Sequence, residues 1–251
     1  MLLLAFETSA KAASVALFDG EKLLGESYQN TGLTHSQTLM VMAEDMLKQC
    51  GVTAQQIVAA AVAAGPGSFT GVRIGVAAAK GFAWGRQIPL YGVSTLESMA
   101  LHLSAFDGTV CAVMDARRSQ VYNALFTAEK GKLARICEDR AIALSDLAEE
   151  LKDAKKPIFL VGDGSELTYR TLKDEIDGLV LPPESRMHQR AVGVGLAALE
   201  AISRGETGDA EALQPNYLRL SQAEREKLEK CRSKLESIVP FTTAPVVGEG
   251  H

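Results

Sequence analysis

Residues 2–20 read LLLAFETSAKAASVALFDG and contain two short apolar runs joined by a polar connection. Each run, at residues 2–6 and 12–18, has the length and apolar character of a buried strand. Asp19-Gly20 is a turn dipeptide, and residues 22–28 follow it as a third strand candidate. The stretch therefore predicts three consecutive antiparallel strands, with the acidic residue Glu7 at the end of the first.

The same arrangement recurs in residues 110–126, which read VCAVMDARRSQVYNALF. A strand is predicted up to Asp115, a second at residues 120–126 and a third at residues 132–136. One offset, 108, places Glu7 against Asp115 and residues 16–18 against residues 124–126, both of which read Ala-Leu-Phe. The shared strand order, acidic strand end and hairpin favour an internal duplication, with accidental similarity as the alternative.

Apolar periodicity predicts the other elements. Further strands are expected at residues 57–64, 88–93 and 158–161. Helices are expected at residues 35–49, 72–84, 95–103, 144–151, 166–175, 190–203 and 221–238. These elements predict an α/β protein with two related lobes, the plan of the actin-like (ASKHA, ribonuclease H-like) superfamily.

The predicted organisation has three parts. Residues 1–106 are predicted to form an N-terminal actin-like lobe with dimerisation helices, and residues 107–220 a C-terminal actin-like lobe. Residues 221–251 form a charged helix and a frayed tail. The helix predicted at residues 190–203 is expected to cross back onto the first lobe.

Composition excludes several classes of protein. The 251 residues are 47% hydrophobic and 23% charged, with a net charge of −5, so no global field attracts nucleic acid. The longest apolar stretch, residues 57–64, is too short to cross a bilayer. The four cysteines are far apart and no signal peptide precedes the first strand, which favours a reducing cytoplasm.

A glycine-rich segment, GPGSFTGVRIG at residues 65–75, joins a buried strand to a helix. Gly67 and Gly71 would let the backbone approach an anion closely, and the helix dipole would favour that anion. The alternative is a tight turn that Ser68 or Thr70 caps. The segment lacks the Gly-Lys-Ser/Thr of a Walker motif.

Polar turns at the strand ends predict a weak nucleotide cleft, and simple hairpin turns are the alternative. The candidate residues, all next to predicted strand ends or helix starts, are Glu7, Ser9, Ser14, Gly67, Ser68, Asp115, Gly162 and Asp163. Arg117 and Arg118 could pair with phosphate or with a partner carboxylate. Ser165 is interpreted mainly as a helix cap.

Two helices carry soft and small side chains suited to helix packing, which predicts a protein-binding surface. The expected partner-binding residues are His35, Leu39, Met42, Met46, Arg73, Val76 and Lys80. The alternative is that a methionine-rich stripe is interior. His35 has Thr38 and Leu39 at the positions where a second metal ligand would stand, so no metal site is predicted. Ser68 lacks an identifiable base, which argues against a hydrolase.

Five motifs together resemble the bacterial TsaB (YeaZ) family. They are ETSAKAASVALFDG at residues 7–20, HSQTLM at 35–40, GPGSFTGVRIG at 65–75, DARRSQVY at 115–122 and PNYLR at 215–219. The resemblance covers nearly the whole chain through Arg219. One departure is Glu7, because the family commonly has Asp there, and the longer carboxylate weakens the case for independent nucleotide binding.

The resemblance implies an actin-like fold and a role in making threonylcarbamoyladenosine at adenosine 37 of tRNAs that read ANN codons. It implies a non-catalytic subunit that binds and activates the transferase TsaD together with TsaE, with homodimer and heterodimer competing for one surface. Contact with tRNA is expected only through the complex. No cofactor is expected on the lone chain, although ATP or ADP could bind at the complex interface.

Two other functions remain open. An actin-like ATPase or phosphotransferase would use Glu7, Asp115 and the turn at residues 162–164. A peptidase is the third hypothesis.

Overall fold

Each half of the chain builds one sheet, as the repeated hairpin predicts. The computed structural model describes residues 1–219, of which Met1–Leu218 form one compact unit. The predicted helix at residues 221–238 and the predicted frayed tail lie outside the described residues. The division into lobes at residue 106 stays a prediction.

The first sheet has five strands in the order β3-β2-β1-β4-β5. They are β1 Leu2–Glu7, β2 Ala13–Asp19, β3 Lys22–Gln29, β4 Ala59–Gly65 and β5 Leu90–Ser94. The first three strands pair antiparallel, whereas β4 and β5 continue the sheet in parallel with β1. The carboxyl ends of β1 and β4 therefore meet at one edge, which places Glu7 beside the glycine-rich segment.

The second sheet has a path of five strands in the order β11-β10-β6-β7-β8, and β9 pairs with β7 beyond it. They are β6 Gly108–Asp115, β7 Gln120–Glu129, β8 Lys132–Arg135, β9 Arg140–Ala143, β10 Ile158–Val161 and β11 Leu179–Val180. Strands β6 and β7 repeat the β1–β2 hairpin, and β10 lies parallel to β6 as β4 does to β1. The short β9 and β11 have no periodicity of their own and were not predicted.

The two hairpins differ by one residue. Phe18 and Phe126 occupy equivalent positions and are separated by 108 residues in the sequence. Their strand partners, Leu3 and Val110, are separated by one residue fewer. Glu7 pairs with Ser14, whereas Asp115 pairs with Val121. The second hairpin turn is therefore shorter, and the single offset that the sequence suggested does not hold through both strands.

Seven helices are described: α1 His35–Gln49, α2 Phe69–Trp84, α3 Thr95–Leu101, α4 Leu144–Lys152, α5 Ser165–Leu172, α6 Glu184–Met187 and α7 Ala191–Ser203. A short 3₁₀ turn spans Ala54–Gln56. Both α3 and α5 end before the residues predicted, and α6 was not predicted. None of the described helices is long and apolar enough to cross a membrane.

The first sheet is buried on both faces, which explains why β1 reads as a continuous apolar run. Leu4 and Phe6 pack beneath α1 and α2, while Leu3 and Ala5 pack against α7. Because α7 follows the second sheet in sequence, the chain returns to the first half. This confirms the predicted crossing of that helix and ties both halves together.

Candidate functional site

The glycine-rich segment packs directly on the loop after β1. The Ser68 amide donates to the Ser9 carbonyl at 2.7 Å, and the Thr8 hydroxyl donates to the Gly71 carbonyl at 2.7 Å. The Ser68 hydroxyl accepts from the Gly71 amide at 3.3 Å and so caps α2. The capped turn, one of the two interpretations of this segment, is present.

The glycines of the segment have a packing role. A Cβ on Gly67 would lie 2.5 Å from the Ser9 carbonyl oxygen, and one on Gly71 would lie 2.2 Å from the Thr8 carbonyl oxygen. The close approach that these glycines permit is therefore to the protein's own backbone. The geometry does not fit a phosphate cradle at Gly67 and Gly71.

Glu7 ends β1 with no exposed surface. Its Oε1 accepts from the Ser9 amide at 2.5 Å, and Oε2 has no hydrogen-bond partner among the described residues. Burial raises the pKa of this carboxyl to about 7; the hydrogen bonds from Ser9 and Thr8 oppose the rise, and the charge of Asp163 adds to it. Glu7 is thus a carboxyl that exchanges its proton near neutral pH.

Ser14 is fully buried on β2, and its hydroxyl accepts from the Ala191 amide at 2.7 Å. It therefore satisfies the N-terminus of α7. The neighbouring Arg190 donates from Nε and Nη2 to the Glu26 carboxylate at 3.0 and 2.6 Å. The hydroxyl that was predicted to contact phosphate instead joins α7 to the first sheet.

The matching turns of the second sheet are also held by the protein itself. Asp115 Oδ1 accepts from the Arg117 amide at 2.7 Å. Asp163 Oδ1 accepts from Gln189 Nε2 at 3.4 Å, and desolvation raises the pKa of Asp163 above its ordinary value. A Cβ on Gly162 would lie 2.1 Å from the Val113 carbonyl oxygen, so this glycine serves packing on β6.

Glu7, Asp115 and Asp163 form one electrostatic group, because Asp163 interacts with both of the others. Carboxylates in this arrangement repel phosphate unless a cation lies between them. Within the described residues, no three His, Cys, Asp or Glu side chains converge in a way that could hold a metal ion. The cleft residues therefore do not fit a nucleotide held with its metal by this chain's own groups.

The structure corrects much of the predicted partner surface. Leu39, Met42, Met46 and Val76 are buried in the core that α1 and α2 form against the first sheet. These four residues do not project toward a partner, because the helical stripe that they form faces the sheet. Met42 and Met46 only reach the floor of a groove of about 300 Å³ between α1 and β3.

The residues after α7 form a strap, residues 206–218, that returns to β4, β5 and α2. Lys80 Nζ donates to the Glu211 and Leu213 carbonyls at 3.1 and 3.0 Å. The Asn216 amide donates to the Ala64 carbonyl at 2.6 Å. Lys80, predicted to contact another protein, thus anchors a segment of its own chain.

Arg73 packs beside two aromatic rings at the end of this strap. Its Nε donates to the Tyr217 hydroxyl at 2.7 Å, and its guanidinium stands 3.7 Å from the Phe69 ring centroid. The Phe69 and Tyr217 rings are 4.7 Å apart between centroids. The PNYLR motif was noticed in the sequence, but its contact with α2 was not, since no local pattern couples positions so far apart.

His35 links the start of α1 to the loop after β1. Its Nε2 lies 2.8 Å from the Ala10 carbonyl, while Nδ1 is buried without a partner among the described residues. Leu39, one turn further along α1, is buried in the core.

Of the apolar side chains that α1 and α2 expose, Met40 was expected on a packing surface, whereas Val41 and Trp84 were not predicted. Met40 and Val41 lie on the outer side of α1, and Trp84, 77% exposed, ends α2. Ala77 and Gly81 are exposed on α2 between Arg73 and Trp84. An exposed tryptophan beside small residues is the available signal for this surface.

Comparison with known proteins identifies the family. A family model described as TsaD: tRNA N6-adenosine threonylcarbamoyltransferase matches residues 29–227. The tRNA threonylcarbamoyladenosine biosynthesis protein TsaB of Bacillus subtilis is 33% identical over 91% of this chain and 99% of that protein. The chain belongs to the TsaB (YeaZ) family.

Other TsaB relatives agree. The TsaB protein of Escherichia coli is 32% identical over 87% of this chain and 95% of that protein. Among solved structures, YeaZ from Pseudomonas aeruginosa has a TM-score of 0.71 at 27% identity, covering 86% of this chain and 99% of that chain. The family assignment and the α/β fold class, here with two sheets, are therefore confirmed for this TsaB family member.

Proposed function

We propose that this TsaB family member is a non-catalytic subunit that binds and activates the TsaD transferase, together with TsaE. The reaction is formation of the threonylcarbamoyl group on adenosine 37 of ANN-decoding tRNAs, which places its action in the cytoplasm. One observation supports the non-catalytic part: Gly67 and Ser14, both predicted to contact a nucleotide, instead contact Ser9 and Ala191 of the same chain.

The proposed docking face is the exposed side of α1 and α2, defined by Met40, Val41, Ala77, Gly81 and Trp84. Small residues on α2 allow close approach of a partner helix, and an exposed Trp is a frequent energetic anchor at interfaces. We propose that TsaD occupies this face and that a second copy of the chain occupies it when TsaD is absent.

The mass of the chain in solution tests the docking face. Size-exclusion chromatography with light scattering is run with and without TsaD, using the wild type and the variants Trp84→Glu and Met40→Glu. We expect both substitutions to weaken dimer and heterodimer by about tenfold or more, because a charge is buried in an apolar contact. Ile136→Glu, at another exposed apolar residue, is the matched control.

Reconstitution of the modification tests the function itself. Purified TsaD, TsaE, carbamoyl-adenylate synthase, unmodified tRNA, ATP and threonine are combined with and without the chain. Loss of modification on omission supports the proposal. Undiminished modification without the chain contradicts it, whatever the masses show.

We propose that ATP or ADP binds only at the boundary with TsaD. The packed glycine segment and the acidic cleft support this, since neither suits a phosphate on the lone chain. Calorimetry with ATP tests it. Submillimolar binding and turnover by the lone chain, lost in Glu7→Ala or Asp115→Ala, would instead establish the ATPase hypothesis.

A further inference from the structure

The turn between β6 and β7 has an unusual backbone. Arg117, Arg118 and Ser119 have φ angles of 66°, 57° and 55°, so three consecutive non-glycine residues are left-handed. Side chains rarely adopt this conformation, because Cβ approaches the following carbonyl oxygen. Such strain persists only where the surrounding structure fixes it, and it concentrates at functional positions.

Hydrogen bonds hold the turn on both sides. The Arg117 amide donates to Asp115 Oδ1 at 2.7 Å, and the Gln120 amide donates to the Arg117 carbonyl at 3.2 Å. The Leu144 amide, at the start of α4, donates to the Ser119 carbonyl at 3.2 Å. The conformation is therefore imposed by β6, β7 and α4.

The turn leaves donors unused. The amides of Arg118 and Ser119 make no hydrogen bond with the part of the chain that the structure describes. Arg118 has no carboxylate partner there either, and the Arg117 side chain, 86% exposed, lies 3.7 Å from Asp115. Two guanidinium groups and two adjacent free amides are a donor set for an oxyanion.

We propose that the Arg117–Ser119 turn binds a backbone phosphate of the tRNA, an inference that rests on the proposed function. Arg117 Nη1 lies 3.7 Å from Asp115 Oδ2 and offsets the charge of that carboxylate, while the Arg117 side chain stays 86% exposed and keeps its other donors accessible to a phosphate. With a net charge of −5, the chain attracts RNA only through local groups of this kind. This inference differs from the expectation that tRNA is contacted only through the complex, and the experiment below decides between the two.

The test uses the reconstituted complex with full-length chain and unmodified ANN-decoding tRNA. In Arg117→Gln/Arg118→Gln, we expect the KM for tRNA to rise about tenfold with kcat unchanged. The slope of log(1/KM) against log salt should become shallower by about one, for the single phosphate contact that is lost. The control Lys130→Gln/Lys132→Gln removes the same charge at the opposite end of β7 and should leave both values unchanged.

An unchanged KM and salt slope in the double variant overturns the inference. Loss of TsaD or TsaE from the complex, measured by mass, also overturns it and assigns the turn to an acidic protein surface. If the double variant does not fold, Arg118→Gln alone decides, with about half the change in slope expected. Modification that continues without the chain contradicts the proposed function. If the chain is required but the double variant behaves like the wild type, only this inference is contradicted.

Discussion

The Thr8 carbonyl oxygen lies 2.2 Å from the position that a Cβ on Gly71 would take. The Thr8 hydroxyl also donates to the Gly71 carbonyl at 2.7 Å. Through this contact α2 packs on the end of β1. The glycine-rich segment therefore has a packing role in this fold.

Gly71→Ala should therefore destabilise the chain by about 3 kcal/mol or more, because helix and strand must separate to admit the methyl group. Gly81→Ala is the control on the same helix, where a Cβ would meet nothing within 4 Å. It should stabilise by about 0.5–1 kcal/mol through helix propensity. Urea unfolding of the two variants measures both values, and equal effects would contradict the packing role.

Glu7→Gln should change how stability depends on pH. The folded-state pKa of Glu7 is raised from 4.5 to about 7, so its contribution is fully present below pH 4.5 and is lost as pH rises to 7. The free energy of unfolding of the variant relative to wild type should rise across that window, by up to about 3 kcal/mol. Denaturant unfolding at several pH values checks it, and a constant difference would contradict the raised pKa.

The contribution of His102 to stability should have the opposite dependence on pH. Its pKa is lowered from 6.5 to about 4, first by burial and then by Arg190 and Arg186, so stability is lost as pH falls through this range. His102→Gln should abolish that loss. The same titration measures it, with Glu7→Gln/His102→Gln as the additive control. If His102→Gln loses as much stability on acidification as the wild type does, the lowered pKa of His102 is contradicted.

Tyr217→Phe should loosen the strap by removing the hydrogen bond from Arg73. We expect the Asn216 amide, which donates to Ala64, to exchange about fivefold faster, because local opening becomes easier by about 1 kcal/mol. Hydrogen exchange read by mass spectrometry measures it. Tyr122→Phe, on β7, should leave the strap unchanged, and an unaffected Asn216 amide in Tyr217→Phe would show that the rings alone hold the segment.

Ser119→Gly should stabilise the chain by about 0.5–1 kcal/mol, because relief of the left-handed strain exceeds the added chain entropy. Ser203→Gly, at the last residue of α7, should destabilise by a similar amount. Thermal unfolding compares them. Destabilisation in both variants would mean that the turn is not strained.

The strands and helices with strong local patterns were predictable from sequence. The His35–Gln49 helix has the predicted bounds, because apolar spacing and Gly51 define both ends. The direction in which its stripe faces was not predictable, since Met42 and Met46 are equally compatible with a core and with an interface. Likewise Ser14 and Gly67 fit both a nucleotide and a packed turn until their neighbours are known.

The sequence by itself determined the α/β class, the repeated hairpin and the family. The apolar runs of the strands, the periodicity of the helices and the turn residues between them are all local properties of the chain. Only the tertiary structure decided that α7 and the strap return to the first sheet, and that Arg73, Lys80 and Ser14 bind their own chain. Those contacts join residues more than a hundred positions apart, and no local pattern records which distant backbone group a side chain will meet.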